Sequence, residues 1–146
     1  MIYSDKQCGI SRAQLSKLQA ALRTATEHVS DQSWLKQAEI NALKSQISDI
    51  EAEITEYELL RSGQVSFAKA YALDELPRIL VQARIAAGIS QTELAEKLHL
   101  KPQQIQRYEA SFYMGASLSR LIEIAHALGV KASGSFEGPR QTDSAI

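Results

Sequence analysis

Between residues 40 and 57 the apolar side chains Ile40, Leu43, Ile47, Ile50, Ile54 and Tyr57 recur at alternating steps of three and four. That is the heptad rhythm of a helix with one apolar seam. Glu39, Lys44, Asp49, Glu51, Glu53, Glu56 and Glu58 flank it. The turn and cap formers Ser30, Asp31 and Ser33 precede the helix. Arg61-Ser62-Gly63 ends it, with Gly63 suited to the left-handed position just past a helix. A helix of about 30 residues is about 45 Å long at ~1.5 Å per residue, too long for a small helical core to cover its seam. It needs an antiparallel helical partner, a second copy of itself, or both.

A partner stands just before it. After a mixed lead-in over residues 1–10, Ser11 opens a segment in which Leu15, Leu18, Leu22, Ala25 and Val29 keep helical spacing. Residues 1–66 therefore read as an antiparallel helical hairpin or coiled coil. Two helices alone bury little surface, so we expect the seam Ile40, Leu43, Ile47, Ile50, Ile54 and Tyr57 to be a dimer seam as well. Residues 63–76 are too apolar for a free linker, with Val65, Phe67, Tyr71 and Leu73, and are expected to pack where the two parts meet, helical from Ser66.

The second half has tighter punctuation. Pro77 suits the first turn of a helix with Ile79, Leu80, Ala83 and Ala87 inward and Gly88 at its end. Ser90-x-x-Glu93 is a capping box, after which Leu94, Ala95 and Leu98 recur at helical spacing. Pro102 opens the next helix. Its Ile105, Tyr108 and Glu109 share one side, while Gln103, Gln104, Gln106 and Arg107 lie largely on the other. Glutamine pairs with adenine edges and arginine with guanine edges in the major groove, although a polar helix face is most often simply solvated. Ser117 caps a last helix with Leu118, Leu121, Ile122, Ala125 and Leu128 in its stripe and Gly129 as its stop. The expected class is all-α, with the helix-turn-helix unit over 67–136 and a disordered tail over 137–146.

The stretch over residues 76–131, from ARIAAGISQTELAEKL through QIQRYE to SLSRLIEIAHALGV, resembles the lambda-repressor/Cro-type (XRE) helix-turn-helix family. The resemblance rests on Ser-Gln before E-L-A, on Ala95, on β-branched Ile105 ten positions later and on the closing A-L-G-V. It implies a DNA-binding repressor whose second motif helix enters the major groove while the first crosses the backbone. Gln91 would then touch phosphate, Lys101 phosphate or a base edge, and Gln103, Gln104 and Arg107 the bases, with Gln106 pointing partly sideways. Arg84 and Glu109 resemble a partly buried salt bridge of the family. Two departures stand out: His99 occupies a turn position usually held by Gly, and Pro102 cannot hydrogen-bond. The loop 110–119 also lacks Lys and Arg.

Charge supports only a local DNA face. The net charge of the 146 residues is −1, with eight basic and six acidic residues between 69 and 131. Phosphate attraction must come from positioned groups. Cys8 is the only cysteine, excluding an internal disulfide and pointing to a reducing compartment. Residues 1–11 lack the basic and apolar regions of a signal peptide, and no run approaches the ~20 apolar residues of a membrane span, so a cytoplasmic location is expected. His28, His99 and His126 show no metal-ligand spacing, and no nucleophile elbow, phosphate loop or dinucleotide fingerprint is present. No enzyme activity, cofactor or metal is expected. The expected partners are a pseudo-palindromic DNA duplex and a second copy of the chain. Fusion of the motif to a helical partner region also resembles HigA-type antitoxins and prophage-like repressors, which would add a toxin as partner. The alternative is a protein-interaction module whose N-terminal helices bind or neutralise a partner, with DNA binding secondary.

Overall fold

The computed structural model describes residues 1–27, 33–67 and 71–139. Among them are six α-helices, one 3-10 turn and no strand, the all-α class expected. Helices α1 (Asp5–Glu27) and α2 (Trp34–Arg61) form the hairpin. After the 3-10 turn Leu73–Glu75 come α3 (Leu76–Ala86), α4 (Gln91–Lys97), α5 (Pro102–Ala110) and α6 (Leu118–Ala127).

Helix α1 begins at Asp5, within the stretch expected to be a lead-in. The Ser4 hydroxyl accepts the Gln7 N–H (3.3 Å), and the Gln7 side chain reaches back to the Tyr3 N–H (2.8 Å). This reciprocal arrangement occupies backbone donors that the first helical turn leaves open. The hairpin is antiparallel because the start of α1 meets the end of α2. The Tyr57 hydroxyl donates to Asp5 (2.9 Å), Arg12 pairs with Glu58, and the N-terminal ammonium pairs with Glu53 (3.2 Å). Burial and the bond to Asp5 push the Tyr57 phenol up to about 12. Ser33 caps α2 by accepting the Lys36 N–H, and Gly63 takes the left-handed conformation beyond it (φ 70°). Val29, Ser30 and Asp31 lie outside the described residues.

Facing α1, Ile40, Ile54 and Tyr57 are buried, while Leu43, Ile47 and Ile50 in the middle of the seam are half-buried. The seam is thus at least partly occupied within one chain. Leu15, Leu18 and Leu22 on α1 are likewise half-buried.

The lower end of the hairpin shares its core with the second half of the chain. Ile2, Cys8, Ile54, Tyr57 and Leu60 belong to the same buried cluster as Leu80, Val81, Ile85, Leu94, Ile105 and Ile124. The inward face of α3 differs from the expected one: Val81 and Ile85 are buried with Leu80 and Ala83, whereas Ala87 is exposed at the cap. Helix α3 is covered on two sides, by the hairpin as well as by α4–α6, so a single amphipathic stripe underestimates its buried face. In the connector Val65 packs against the core, but Leu73 is exposed, and the segment from Ser66 to Phe67 is not helical. Residues 130–139 carry no secondary structure, and the rest of the tail lies outside the described residues.

A core that crosses from hairpin to bundle has a measurable consequence. Leu60 is buried on α2. Leu60→Ala should cost about 2–5 kcal/mol, the range for deleting a buried leucine side chain. Urea unfolding should show this loss in one transition shared by the whole chain; two separate transitions, only one of them shifted, would contradict a shared core.

Candidate nucleic-acid interface

The second half positions one helix outward. Ser90 caps α4, accepting the Glu93 N–H (3.1 Å), and Glu93 accepts the Ser90 N–H (2.6 Å). Hydrogen bonds from the Ser90 backbone N–H, and next from its side chain, hold the Glu93 carboxyl below its ordinary value of 4.5. Their contribution is complete above that ordinary value and is lost as pH falls through the lower folded value. Helix α4 ends with His99 in the left-handed conformation (φ 54°), where the Leu100 N–H reaches back to the Ala95 carbonyl (2.8 Å). This is a Schellman closure with histidine where glycine is usual. Lys101 and Pro102 then start α5.

Helix α5 buries Ile105 and Glu109 and leaves Gln103, Gln104, Gln106 and Arg107 exposed. At about 100° per residue, Gln103, Arg107 and Ala110 run down the centre of the outer stripe, with Gln104 and Gln106 on its flanks. Ala110 is exposed and was not among the expected contacts. Its methyl suits a thymine methyl, and the 103–107–110 spacing was the signal that could have found it. Gln104 has a second role: its side-chain carbonyl accepts the Lys101 N–H (3.0 Å), closing the first turn of α5. Its amide N–H groups remain free to face DNA. Lys101 is exposed at the entry to the helix.

Behind this face lies a buried ion pair. Arg84 is 3% exposed and Glu109 is fully buried. The Arg84 Nε donates to Glu109 Oε1 (2.5 Å) and Nη2 to Oε2 (2.7 Å). Nη1 donates to the Ile89 carbonyl (2.9 Å), and Nη2 also donates to the Tyr3 carbonyl (2.8 Å). Four of the five guanidinium N–H groups are therefore placed. Gln91, expected at phosphate, donates its side-chain amide to Glu109 Oε2 (2.7 Å) and is half-buried. Its side-chain carbonyl and the start of α4 are what it can offer a backbone. The Tyr3 contact could not have been read from the sequence, since any residue can present a carbonyl.

The loop after α5 has no basic side chain and is conformationally costly. Phe112 and Tyr113 both take positive φ (49° and 57°), each costing about 1–2 kcal/mol for a non-glycine residue. Tyr113 is 3% exposed, stacks on Tyr108 at 5.8 Å between centroids, and its hydroxyl has no hydrogen-bond partner. Burial, reinforced by the nearby Glu109 charge, pushes that phenol well above its ordinary range.

Among the described residues no group of three or more metal-ligating side chains comes together, and no helix is long and apolar enough to cross a membrane. Residues 80–134 match the helix-turn-helix family, a family of DNA-binding transcription regulators. The match covers rather more than a third of the chain. Neither a curated protein nor a solved structure matches it.

Two substitutions separate the roles behind the face. Arg84→Ala should destabilise the fold by about 3–5 kcal/mol, because it strands a buried carboxylate. Tyr113→Phe should be neutral or stabilising by about 1 kcal/mol, because the lost hydroxyl has no partner to lose. Thermal melts of the two variants should move in these unequal ways.

Proposed function

We propose, on the premise that residues 80–134 are a helix-turn-helix domain of the lambda-repressor/Cro type, that the chain is a sequence-specific transcription repressor acting as a dimer. The observation that carries this reading is the outer stripe of α5. Gln103 and Arg107 are one helical turn apart, exposed, and held outward by an inner face locked through Glu109. Gln103 pairs with adenine and Arg107 with guanine, while Ala110 covers a thymine methyl. Gln104 and Gln106 read or brace from the flanks, Lys101 contacts the phosphate at the helix entry, and Gln91 meets the backbone at the start of α4.

Dimerisation is supported by the half-covered seam. Leu15, Leu18, Leu22, Leu43, Ile47 and Ile50 are only partly buried by a two-helix layer. A second hairpin laid on that open side would complete a four-helix bundle and place two recognition helices on successive major grooves, ~34 Å apart. The operator is then a pseudo-palindrome. The narrower reading, an antitoxin that represses its own operon and binds a toxin, draws on the far end of the hairpin. Trp34 (80% exposed) and Leu35 (64% exposed) form an apolar tip remote from α5 and suited to a protein partner. The same tip favours the second reading, a module that chiefly captures a partner protein.

The chain should bind the DNA upstream of its own coding region in a salt-sensitive way. Each of Gln103→Ala and Arg107→Ala should weaken that binding by about 1–3 kcal/mol with the melting temperature unchanged. Absence of any shift on upstream fragments at low salt would sink the repressor reading in favour of the partner-binding module. Light scattering of the full chain should give twice the monomer mass; a monomer at every concentration tested would remove the dimer.

A further inference from the structure

Arg61 lies outside the helix-turn-helix region in sequence but beside it in space. It is the last residue of α2 and lines a cleft of about 130 Å³ together with Asp5, Gly88, Ser90 and Gln91. Its Nη1 stands 3.6 Å from the point a Cβ on Gly88 would occupy. Among the described residues its ion pair is with Asp5, at 3.5 Å from Nε, with both side chains well exposed (42% and 75%). Such a pair is loosely held and screened by solvent. The other edge of the guanidinium is left facing the turn between α3 and α4.

That turn leads directly into the start of α4, the helix that crosses the DNA backbone when α5 enters the groove. The loop after α5 supplies no cation there, and the overall charge is −1. A planar guanidinium, unlike an ammonium, can hold phosphate through two parallel N–H bonds. We propose that Arg61, carried to the α3–α4 turn by the hairpin, is a DNA backbone-phosphate contact, so that the hairpin forms part of the DNA-binding surface. On binding, Arg61 exchanges Asp5 for phosphate. Asp5 stays in place because the Tyr57 hydroxyl donates to it (2.9 Å), and it opposes the incoming phosphate. The inference rests on the DNA-binding reading above and adds a contact from outside residues 80–134.

The test uses the full chain and a random-sequence duplex of roughly thirty base pairs, about three helical turns, because a phosphate contact is indifferent to sequence. Binding is followed by fluorescence anisotropy over a salt series. Arg61→Ala should reduce the slope of log affinity against log salt by about 0.9, the value for one lost phosphate contact. Arg61→Lys should keep the slope and lose part of the affinity. Asp5→Asn keeps an acceptor for Tyr57 and should bind several-fold more tightly. Arg23→Ala makes the same charge change near the far end of α1 and should leave the slope unaltered. If Arg61→Ala keeps its melting temperature and an unchanged slope, while Arg107→Ala still impairs binding to the upstream fragment, the inference is overturned and the repressor reading stands. If the unaltered chain binds neither duplex, both fall. Should Arg61→Ala melt early, the Arg61→Lys and Asp5→Asn pair decides: no gain in affinity from Asp5→Asn overturns the proposal.

Discussion

The ion pair between Arg84 and Glu109 orients the DNA-binding half of the molecule. Two charges taken out of water are costly unless their remaining hydrogen-bonding capacity is met. Here most of it is met, from four separate segments. The chain start contributes the Tyr3 carbonyl, the α3–α4 turn the Ile89 carbonyl, α4 the Gln91 amide, and α5 the carboxylate itself. Apolar packing around Leu80, Leu94, Ile105 and Ile124 supplies most of the burial but little direction. The ion pair supplies direction: with Glu109 held from one side, the Gln103–Arg107 edge of α5 faces the other. Tyr3 takes part in this although it precedes the hairpin.

The hairpin is accordingly more than an appendage. Its lower end gives Cys8, Tyr57 and Leu60, with Ile2 just before it, to the core that also holds α3, while its upper part has only two helices to cover one seam. Burial along α2 follows this division. Ile54 and Tyr57 are closed off near the bundle, and Leu43, Ile47 and Ile50 stay half-open above it. A two-helix layer always leaves one side of its seam to solvent, which is why the dimer proposed above uses that side.

Conformational strain gathers around α5. Among the described residues the non-glycine positions with positive φ are His99, just before this helix, and Phe112 and Tyr113, just after it. Helices α3 and α6 end in the same kind of closure with Gly88 and Gly129, where it costs little. Chain direction changes sharply on both sides of α5, and those reversals place His99, Phe112 and Tyr113 at positive φ, with Gly115 alone among them as a glycine. Tyr113 also carries a buried hydroxyl without a partner. Strain of this kind persists where surrounding packing over-determines the backbone, as the Tyr108–Tyr113 stack does here.

Helix order, type and most boundaries were legible in the residues themselves, because caps, glycine stops and apolar periodicity act within about four positions of the chain. Ser33, Ser90, Pro102, Ser117, Gly63, Gly88 and Gly129 stand where that reading placed them. The early start of α1 was legible too, in Ser4 and Gln7, but its apolar stripe begins later and hid it. The outward set Gln103, Gln104, Gln106 and Arg107 and the Arg84–Glu109 pair were likewise visible in sequence, by periodicity and by family resemblance. Only the tertiary structure decided that Gln91 turns to Glu109, that Tyr3 presents its carbonyl to Arg84, and that Arg61 reaches the α3–α4 turn. The physical reason is common to all three. A polar side chain has several possible partners, a backbone carbonyl has no residue signature, and the choice among them depends on which distant segments packing brings within hydrogen-bonding range.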